Sequence, residues 1–427
     1  MDNTITSDNQ SNIIKSESKI LNFFWIGFII YTSAFAISTT EQVNYVICNL
    51  FQILGLMLIL TTSFFLVRLK IEDDYLKVIY SLFIIWTLGI IIRGFVFKYE
   101  FIKLMLFNSY EGLFIYLTPL ILLFPKNLHH IKKLFIVIVI VGMVYTFYDM
   151  LFFKQLIINY DIKNSQNIIE YFSKTLSIPC GFIIVTYMYH SKRMNLFALF
   201  VIMMTFFFSI IRARRGLSLL TISSVVVAYF VYLFYSKNRG LKIVFFILLL
   251  IFITLGIAYS RSVIGYFSTN SATSWFIERV GQDTRSEVEH YFYRDLKPVD
   301  WIIGKGINGQ YFCPGVVEGT GKISIFRRGI ETDYLTIILK GGIISLGLML
   351  FILIPAIIKG LFYSKNMLAK ASAIWIILYL GALYPSPVTA FTLNYLVVWI
   401  SVGLCYSKEI RNLSEDEVRN FFKVAIK

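Results

Sequence analysis

The chain is built from long apolar runs that short polar connections separate. Twelve runs of 16–25 residues can be recognised, and they occupy more than half of the 427 residues. The hydrocarbon core of a bilayer offers no hydrogen-bond partners, so a segment that crosses it must satisfy its own backbone, and a helix of about 20 residues does so. The pattern predicts an all-α, polytopic membrane helical bundle of about twelve transmembrane helices.

Composition agrees with that fold class. Apolar residues make up 57% of the chain and charged residues 15%, against roughly 45–50% and about 25% in soluble domains. Soluble enzymes, secreted disulfide scaffolds and disordered chains are therefore excluded. The predicted spans are 21–37, 43–67, 78–97, 110–125, 131–153, 171–189, 194–211, 216–235, 241–260, 332–356, 369–384 and 388–406.

Lysine and arginine in the connections predict the orientation. With a cytoplasmic N-terminus, the inner connections and the C-terminal tail hold 21 of these residues, and the short outer connections hold nine. Positive charge marks the cytoplasmic side, so both termini are expected there. The domains are then a cytoplasmic tail at 1–20, spans one to nine at 21–260, a large extracytoplasmic loop at 261–331, spans ten to twelve at 332–406 and a cytoplasmic tail at 407–427.

Several features that suggest other classes of site have simpler explanations. The formal charge of +15 comes from cations scattered between apolar runs, which is typical of topology signals and headgroup anchors and not of a nucleic-acid surface. The four cysteines show no metal-ligand spacing, and a structural disulfide is not expected. Residues 304–309 read Gly-Lys-Gly-Ile-Asn-Gly, but without a βαβ unit we interpret them as a turn that needs positive φ and not as a nucleotide site.

The large loop contains one segment with helical periodicity. Thr284 and Glu287 have the spacing of a capping box, and apolar residues follow at helical intervals. We expect an amphipathic helix at 285–296 over the outer mouth of the bundle, ended by Pro298, with the Gly-rich stretch 304–321 as a loop.

Arginines cluster at three places on the predicted outer side. They are Arg212, Arg214 and Arg215 between two spans, Arg279, Arg285 and Arg294 around the loop helix, and Arg327 and Arg328 before Glu331 and Asp333. Snorkelling to lipid headgroups or local ion pairs, such as Arg285 with Glu289 and Arg328 with Glu331 or Asp333, account for single residues. Three clusters on one face favour a phosphate or pyrophosphate site, because the planar guanidinium binds such groups through two parallel hydrogen bonds.

The order of these motifs resembles the O-antigen polymerase and O-antigen ligase group of integral membrane glycosyltransferases (the Wzy and WaaL type). The resemblance covers roughly 195–350 by motif and the whole chain by topology. Its motifs are Arg-Ala-Arg-Arg-Gly-Leu at 212–217, Asp-Thr-Arg-Ser-Glu at 283–287, Trp-Ile-Ile-Gly-Lys-Gly at 301–306, Arg-Gly-Ile-Glu-Thr-Asp-Tyr-Leu at 328–335 and Gly-Gly-Ile at 341–343.

The resemblance implies a multi-pass enzyme of the bacterial inner membrane that polymerises oligosaccharide repeat units linked to undecaprenyl pyrophosphate. Arg215, Arg285 and Arg328, with Arg212 and Arg214, would bind the pyrophosphate. Ligases present a His where this chain has Glu331, so Glu331 is expected as the base and Asp333 as the group that orients the acceptor. No metal or other cofactor is expected. Membrane lipids and a chain-length regulator protein are the further expected partners, and nucleic acid is not one.

Two alternatives remain open. An O-antigen ligase would transfer the glycan once, to a lipid A core, and the missing His weakens that interpretation. A transporter or flippase of lipid-linked sugars would carry out no chemistry. Transporters often consist of two similar halves, whereas this chain has its one large loop after the ninth predicted span.

Overall fold

The computed structural model describes residues 2–154, 168–211, 214–235, 240, 285–314 and 325–424. Its first half contains α1 (Asp2–Ser38), α2 (Tyr45–Leu66), α3 (Asp74–Gly94), α4 (Tyr99–Phe107), α5 (Phe114–Leu117) continued by a 3-10 turn (Thr118–Leu123), α6 (Leu128–Leu151), a π-helical turn (Ile168–Phe172), α7 (Ser173–Leu176), α8 (Cys180–Val185), a 3-10 turn (Tyr187–Tyr189), α9 (Lys192–Ile211) and α10 (Arg215–Tyr235).

The second half contains two short loop helices, a small hairpin and the C-terminal helices. These are α11 (Arg285–Asp295), α12 (Pro298–Ile303), β1 (Tyr311–Phe312), β2 (Phe326–Arg327), α13 (Asp333–Phe362), α14 (Met367–Ala382), α15 (Leu393–Tyr406), α16 (Lys408–Asn412) and α17 (Glu415–Val424). The two strands pair antiparallel, with Tyr311 opposite Arg327.

The chain forms an all-α, multi-pass membrane bundle. In the part that the structure describes, seven helices are long and apolar enough to cross a bilayer, namely α1 from Glu17, α2, α3, α6, α9, α10 and α13. Three shorter apolar segments accompany them, at Phe114–Leu123, Met367–Ala382 and Leu393–Tyr406. Large apolar side chains such as Phe64, Ile85 and Ile92 are exposed on the bundle surface, as expected where lipid replaces water.

Polar residues set the ends of several spans. The side chains of Asn44, Asp73, Asn127 and Asn366 accept a backbone N–H from the first turn of α2, α3, α6 and α14. Such caps satisfy donors that have no partner within the helix. These caps fix the residue at which each helix begins, which lies within a few residues of the predicted start of the span.

Two predicted spans are not single long helices. The span expected at 171–189 is divided into the π-helical turn, α7, α8 and a 3-10 turn. Pro179 lies at the division, where its missing N–H and its ring oppose a continuous α-helix. The span expected at 110–125 is α5 followed by a 3-10 turn that begins at Thr118 and Pro119. The span expected at 241–260 lies outside the described residues.

The long helix α13 is interrupted in a way that attaches the loop segment to the bundle. Gly342 has φ 69° and ψ −177° inside α13, a conformation that favours glycine. The carbonyl groups around the break find partners elsewhere: Leu339 O accepts from Lys305 N at 2.7 Å and Lys340 O from Gly306 N at 2.9 Å. The Trp86 indole donates to Gly341 O at 2.9 Å. The backbone carbonyl groups at the break are thus hydrogen-bonded to other parts of the protein, as is required within a membrane, where no water is present to bind them.

The loop helix is amphipathic, as predicted. Val288 and Phe292 of α11 are buried, and they pack with Leu296, Tyr311 and Ile330 in a small apolar cluster against the start of α13. The helix ends at Asp295, and Pro298 begins α12. Proline is well accommodated there because the first residue of a helix has no use for its N–H.

Candidate functional site

One end of the bundle holds a cavity of about 900 Å³. The end of α1, the π-helical turn, the start of α10, helix α11, the segment before α13 and the turn at 385–389 surround its mouth. Along α13 it extends from Asp333 to Met349, which corresponds to roughly 20–25 Å of helix. The cavity therefore reaches from the loop end of the bundle well into its interior, and we call it the arginine cavity.

The arginine cavity collects the basic residues that the sequence singled out. Arg214 and Arg215 come from the start of α10, Arg285 from α11, and Arg327 and Arg328 from the segment before α13. Arg214 and Arg328 are 114 positions apart in the sequence, and only the fold brings the three segments to one cavity. Arg212 and Arg279 lie outside the described residues. Arg294 is exposed on α11 and does not line the cavity.

The Arg285 guanidinium is held from two sides. Its Nε donates to Oε2 of Glu331 at 3.1 Å, and its Nη2 donates to the carbonyl oxygen of Pro385 at 2.7 Å. The two side chains remain accessible, with 30% of Arg285 and 51% of Glu331 exposed. The ion pair is therefore largely solvated, and a stronger anion can compete with the carboxylate for Arg285.

The local ion pairs that the spacing allows as an alternative explanation do not form among the described residues. Arg285 pairs with Glu331 and not with Glu289 at i+4, and Glu289 accepts a hydrogen bond from Thr332. In the part of the chain that the structure describes, no carboxylate lies within 4 Å of the Arg328 guanidinium. Arg328 lines the cavity, and its guanidinium forms no ion pair with any of the described residues.

Asp333 is the first residue of α13 and is buried, with 2% of it exposed. Its Oδ2 accepts the backbone N–H groups of Val388 at 2.9 Å and Thr389 at 2.6 Å. Its own N–H donates to Leu383 O at 2.8 Å. Asp333 thus fixes the 385–389 turn, whose Pro385 carbonyl holds Arg285. The preceding Thr332 makes no side-chain cap to α13.

The carboxylate of Glu170 binds two further basic side chains of the cavity, those of Lys174 and Arg214. Glu170, on the π-helical turn, accepts from Lys174 at 3.1 Å through Oε1 and from Arg214 at 2.7 Å through Oε2. All three line the cavity. The sequence analysis did not single out Glu170. Its i,i+4 spacing to Lys174 beside an apolar run was the signal available.

A lysine within α13 was also missed. Lys340 lines the cavity, is 8% exposed, and donates through Nζ to Gly309 O at 2.8 Å. It stands in an apolar run, Ile-Ile-Leu-Lys-Gly-Gly at 337–342, that reads as membrane span. A single charge inside such a run is the kind of residue that marks a functional position in a membrane protein.

The glycine segment behaves as a turn. Gly304 has φ 70° and Gly306 φ 79°, and a Cβ on Gly306 would lie 2.9 Å from Gly94 N. The segment connects α12 to β1 and packs against α3 and α13. The predicted positive-φ turn is confirmed.

Among the described residues, no group of three or more His, Cys, Asp and Glu side chains could hold a metal ion. The cavity instead combines guanidinium and ammonium groups with carboxylates that are ion-paired or hydrogen-bonded to neighbouring protein groups. Such an arrangement can bind a polyanion and, beside it, accept a proton from a neighbouring group.

Comparisons with known proteins identify no relative. No protein-family model, no curated protein and no solved structure matches this chain.

Proposed function

We propose that this protein is a membrane glycosyltransferase that polymerises oligosaccharide repeat units linked to undecaprenyl pyrophosphate, for a surface polysaccharide such as O-antigen or capsule. The observation that carries the proposal is the arginine cavity, in which Arg214, Arg215, Arg285 and Arg328 lie with Glu331 and Asp333 at one end of a membrane bundle. A cationic site at the membrane edge suits a donor whose pyrophosphate joins a lipid tail to a polar glycan.

The proposal includes a topology. The chain would cross the bacterial inner membrane twelve times with both termini in the cytoplasm, and residues 261–331 would lie outside. The arginine cavity would then open to the extracytoplasmic face, where a lipid-linked repeat unit awaits elongation. Its other partners would be membrane lipids and a chain-length regulator protein.

The reaction would be a direct displacement. A hydroxyl oxygen of the acceptor sugar attacks the anomeric carbon of the donor glycan, and the bond between that carbon and the pyrophosphate oxygen breaks. The electron pair leaves with undecaprenyl pyrophosphate, the hydroxyl proton passes to a carboxylate, and the anomeric centre inverts. Negative charge grows on the leaving group, so guanidinium groups there stabilise the transition state more than the ground state.

Glu331 is proposed as the base and Asp333 as the residue that orients the acceptor. Glu331 is half exposed, lies in the cavity and, among the described residues, forms its ion pair with Arg285. When the donor pyrophosphate takes Arg285, the carboxylate of Glu331 is released beside the reacting groups and can accept the proton. Asp333, held by two backbone N–H groups, keeps the 385–389 turn in place next to the acceptor.

No metal ion is assigned a role in this mechanism. The predicted outer loop contains no Asp-x-Asp pair, and the arginines can supply the positive charge that a divalent cation supplies in other glycosyltransferases. Turnover is therefore expected to continue at an unchanged rate in the presence of EDTA.

A transporter of lipid-linked sugars is the second candidate, and the break of α13 at Gly342 favours it. Discontinuous helices that line a central cavity are common in transporters. An O-antigen ligase is the third, with Glu331 in place of the ligase His.

One assay separates the three. Purified protein in lipid nanodiscs is given the lipid-linked repeat unit of its source strain, with and without a lipid A core acceptor. A ladder of glycans without the core supports a polymerase, whereas a single transfer that requires the core supports a ligase. Absence of any product in both reactions, together with movement of the lipid-linked sugar across proteoliposomes, would contradict an enzyme and support a transporter.

A further inference from the structure

Helix α3 marks both edges of the hydrocarbon layer in its part of the bundle. At one end, Asp73 precedes the helix and forms an ion pair with Lys359 of α13. At the other end, Arg93 lies in the last turn and is exposed. The helix between Asp73 and Arg93 is about 30 Å long, which is the thickness of the hydrocarbon core of a bilayer. Since charged side chains near the ends of a span extend to the membrane surface, the second edge lies close to Arg93.

The short helix α12 lies at that second edge. Nη2 of Arg93 donates to the carbonyl oxygen of Ile303 at 2.6 Å, and Gly342 of α13 lies directly against the carbonyl of Ile302. Gly342 is 17 positions before Lys359 in the sequence, or about 25 Å along the helix. The helices α3 and α13 therefore place α12 at the same depth, although the sequence predicts this segment to be part of a loop outside the membrane.

The free face of α12 is apolar. Val299 and Ile302, three positions apart on the helix, are each more than half exposed. So are Ile343, which follows the break in α13, and Ile92 and Phe97 at the end of α3. Soluble surfaces rarely leave several large apolar side chains together in water. On the bundle side, this apolar face joins the exposed apolar surfaces of α3 and α13, which lipid covers.

The other faces of α12 are held by protein or carry charge. The Trp301 ring stacks on that of Tyr293 of α11, with the ring centroids 5.9 Å apart. Asp300 accepts the backbone N–H of Lys297 at 3.1 Å, and the Lys297 side chain is exposed at the start of the helix. One apolar face with cations beside it is the arrangement of helices that lie in the membrane interface.

We propose that α12 lies in the interface of the leaflet on this side of the bundle, with its apolar face among the acyl chains and Lys297 among the phosphate groups. Lipid is a better occupant of this face than a protein partner, because the face lies at the hydrocarbon edge and is continuous with lipid-facing helices. The predicted loop 261–331 therefore returns to the membrane at α12. Asp333 is nine positions before Gly342, so the mouth of the arginine cavity lies beyond the hydrocarbon.

Spin labelling measures the depth of α12. A nitroxide is attached to Ile302→Cys in the full-length protein, with the four native cysteines replaced, in nanodiscs of phosphatidylethanolamine and phosphatidylglycerol. Oxygen concentrates in hydrocarbon and a charged nickel complex stays in water, so the ratio of their collision rates with the label reports its depth. We expect the label at Ile302 to lie about 5–10 Å below the phosphate groups.

Two exposed positions calibrate this measurement. Glu287→Cys, near the start of α11 beside the cavity mouth, should be in water, and Ile85→Cys, near the middle of α3, should be deep in hydrocarbon. A label at Ile302 that collides with the nickel complex as often as the label at Glu287 would contradict the proposal. A label at Ile302 shielded from both reagents would also contradict it, because protein would then cover this face.

The wild-type protein provides a second measurement that requires no substitution. A phosphatidylcholine with a photoreactive diazirine on its acyl chain is irradiated in nanodiscs that contain the protein, and mass spectrometry locates the cross-links. We expect cross-links at Val299 or Ile302 as well as on α3. Cross-links on α3 with none on α12 would overturn the proposal even if the cysteine variants do not fold.

Discussion

At the scale of single residues, the site depends on which partner each charge takes. Arg285 pairs with Glu331, 46 positions away in sequence, and no local spacing rule could have predicted that contact. Glu170 lies four residues before Lys174, a spacing visible in the sequence, but its pairing with Arg214 joins two distant segments and required the fold. Sequence alone identified the residue types and the segments that carry them, whereas the pairing of charges required the fold.

Arg285→Ala should lower turnover by about 100- to 1,000-fold, the cost of removing one group that stabilises transition-state charge. Arg294→Ala is the control, because Arg294 lies exposed on the same helix and outside the cavity. The rate of undecaprenyl pyrophosphate release from the lipid-linked repeat unit reports both. An equal loss in the two variants would indicate damage to the loop helix and contradict a specific role for Arg285.

Glu331→Gln should reduce turnover by about 100-fold or more, because the proposed base is lost. The same variant should bind inorganic pyrophosphate about two- to five-fold more tightly, since an exposed ion pair of modest strength no longer competes for Arg285. Calorimetric titration measures the second effect.

Asp333→Asn is the companion variant. It should lose stability by about 1–3 kcal/mol, because a buried acceptor of two backbone N–H groups is weakened. A near wild-type rate for Glu331→Gln with an inactive, stably folded Asp333→Asn would reverse the two roles. Activity in both would exclude either carboxylate as the base.

At the scale of secondary-structure elements, the apolar runs predicted where most helices lie. They did not predict where those helices are interrupted. The predicted amphipathic helix and most spans have helices at nearly the predicted residues, because membrane depth admits few alternatives to a helix. Pro119, Pro179 and Gly342 lie at the breaks of three predicted spans. Whether a proline or a glycine breaks a helix depends on which neighbouring groups satisfy the freed backbone, and those groups come from distant segments. The short helix α4 was missed because its charged residues resemble a connection.

Gly342→Ala should destabilise the protein by about 3 kcal/mol or more, because a Cβ there would collide with the Ile302 carbonyl and the residue has φ 69°. Gly347→Ala, on the same helix with nothing within 4 Å of its added Cβ, should be neutral or stabilise by up to about 1 kcal/mol. Thermal unfolding in detergent measures both. Equal melting temperatures for the two variants would show that the break in α13 is unimportant for the fold.

At the scale of the whole molecule, the protein is a membrane bundle with a charged cavity at one end. The membrane class followed from composition and apolar runs. The cavity did not, because its residues come from segments spread over most of the chain and its volume depends on packing.

Cysteine labelling tests the orientation. Arg294→Cys, on the loop helix, should react with a membrane-impermeant maleimide in intact spheroplasts, whereas Lys408→Cys, after α15, should react only after permeabilisation. The four native cysteines are buried, and burial raises the pKa of the Cys313 thiol. They are nevertheless replaced, so that each variant carries one reactive thiol. The opposite labelling pattern would place the arginine cavity on the cytoplasmic face and contradict the proposed topology.

Variants of Arg215 show whether the arginine cavity holds the pyrophosphate of a lipid-linked glycan, as we propose. Glycan ladder formation is measured with the lipid-linked repeat unit for wild type, Arg215→Ala and Arg215→Lys at matched amounts of folded protein. We expect a ladder for the wild type, none for the Ala variant, and a strong loss for the Lys variant, because an ammonium cannot replace the two parallel hydrogen bonds of a guanidinium. Wild-type ladders from both variants would contradict a pyrophosphate clamp at this cavity.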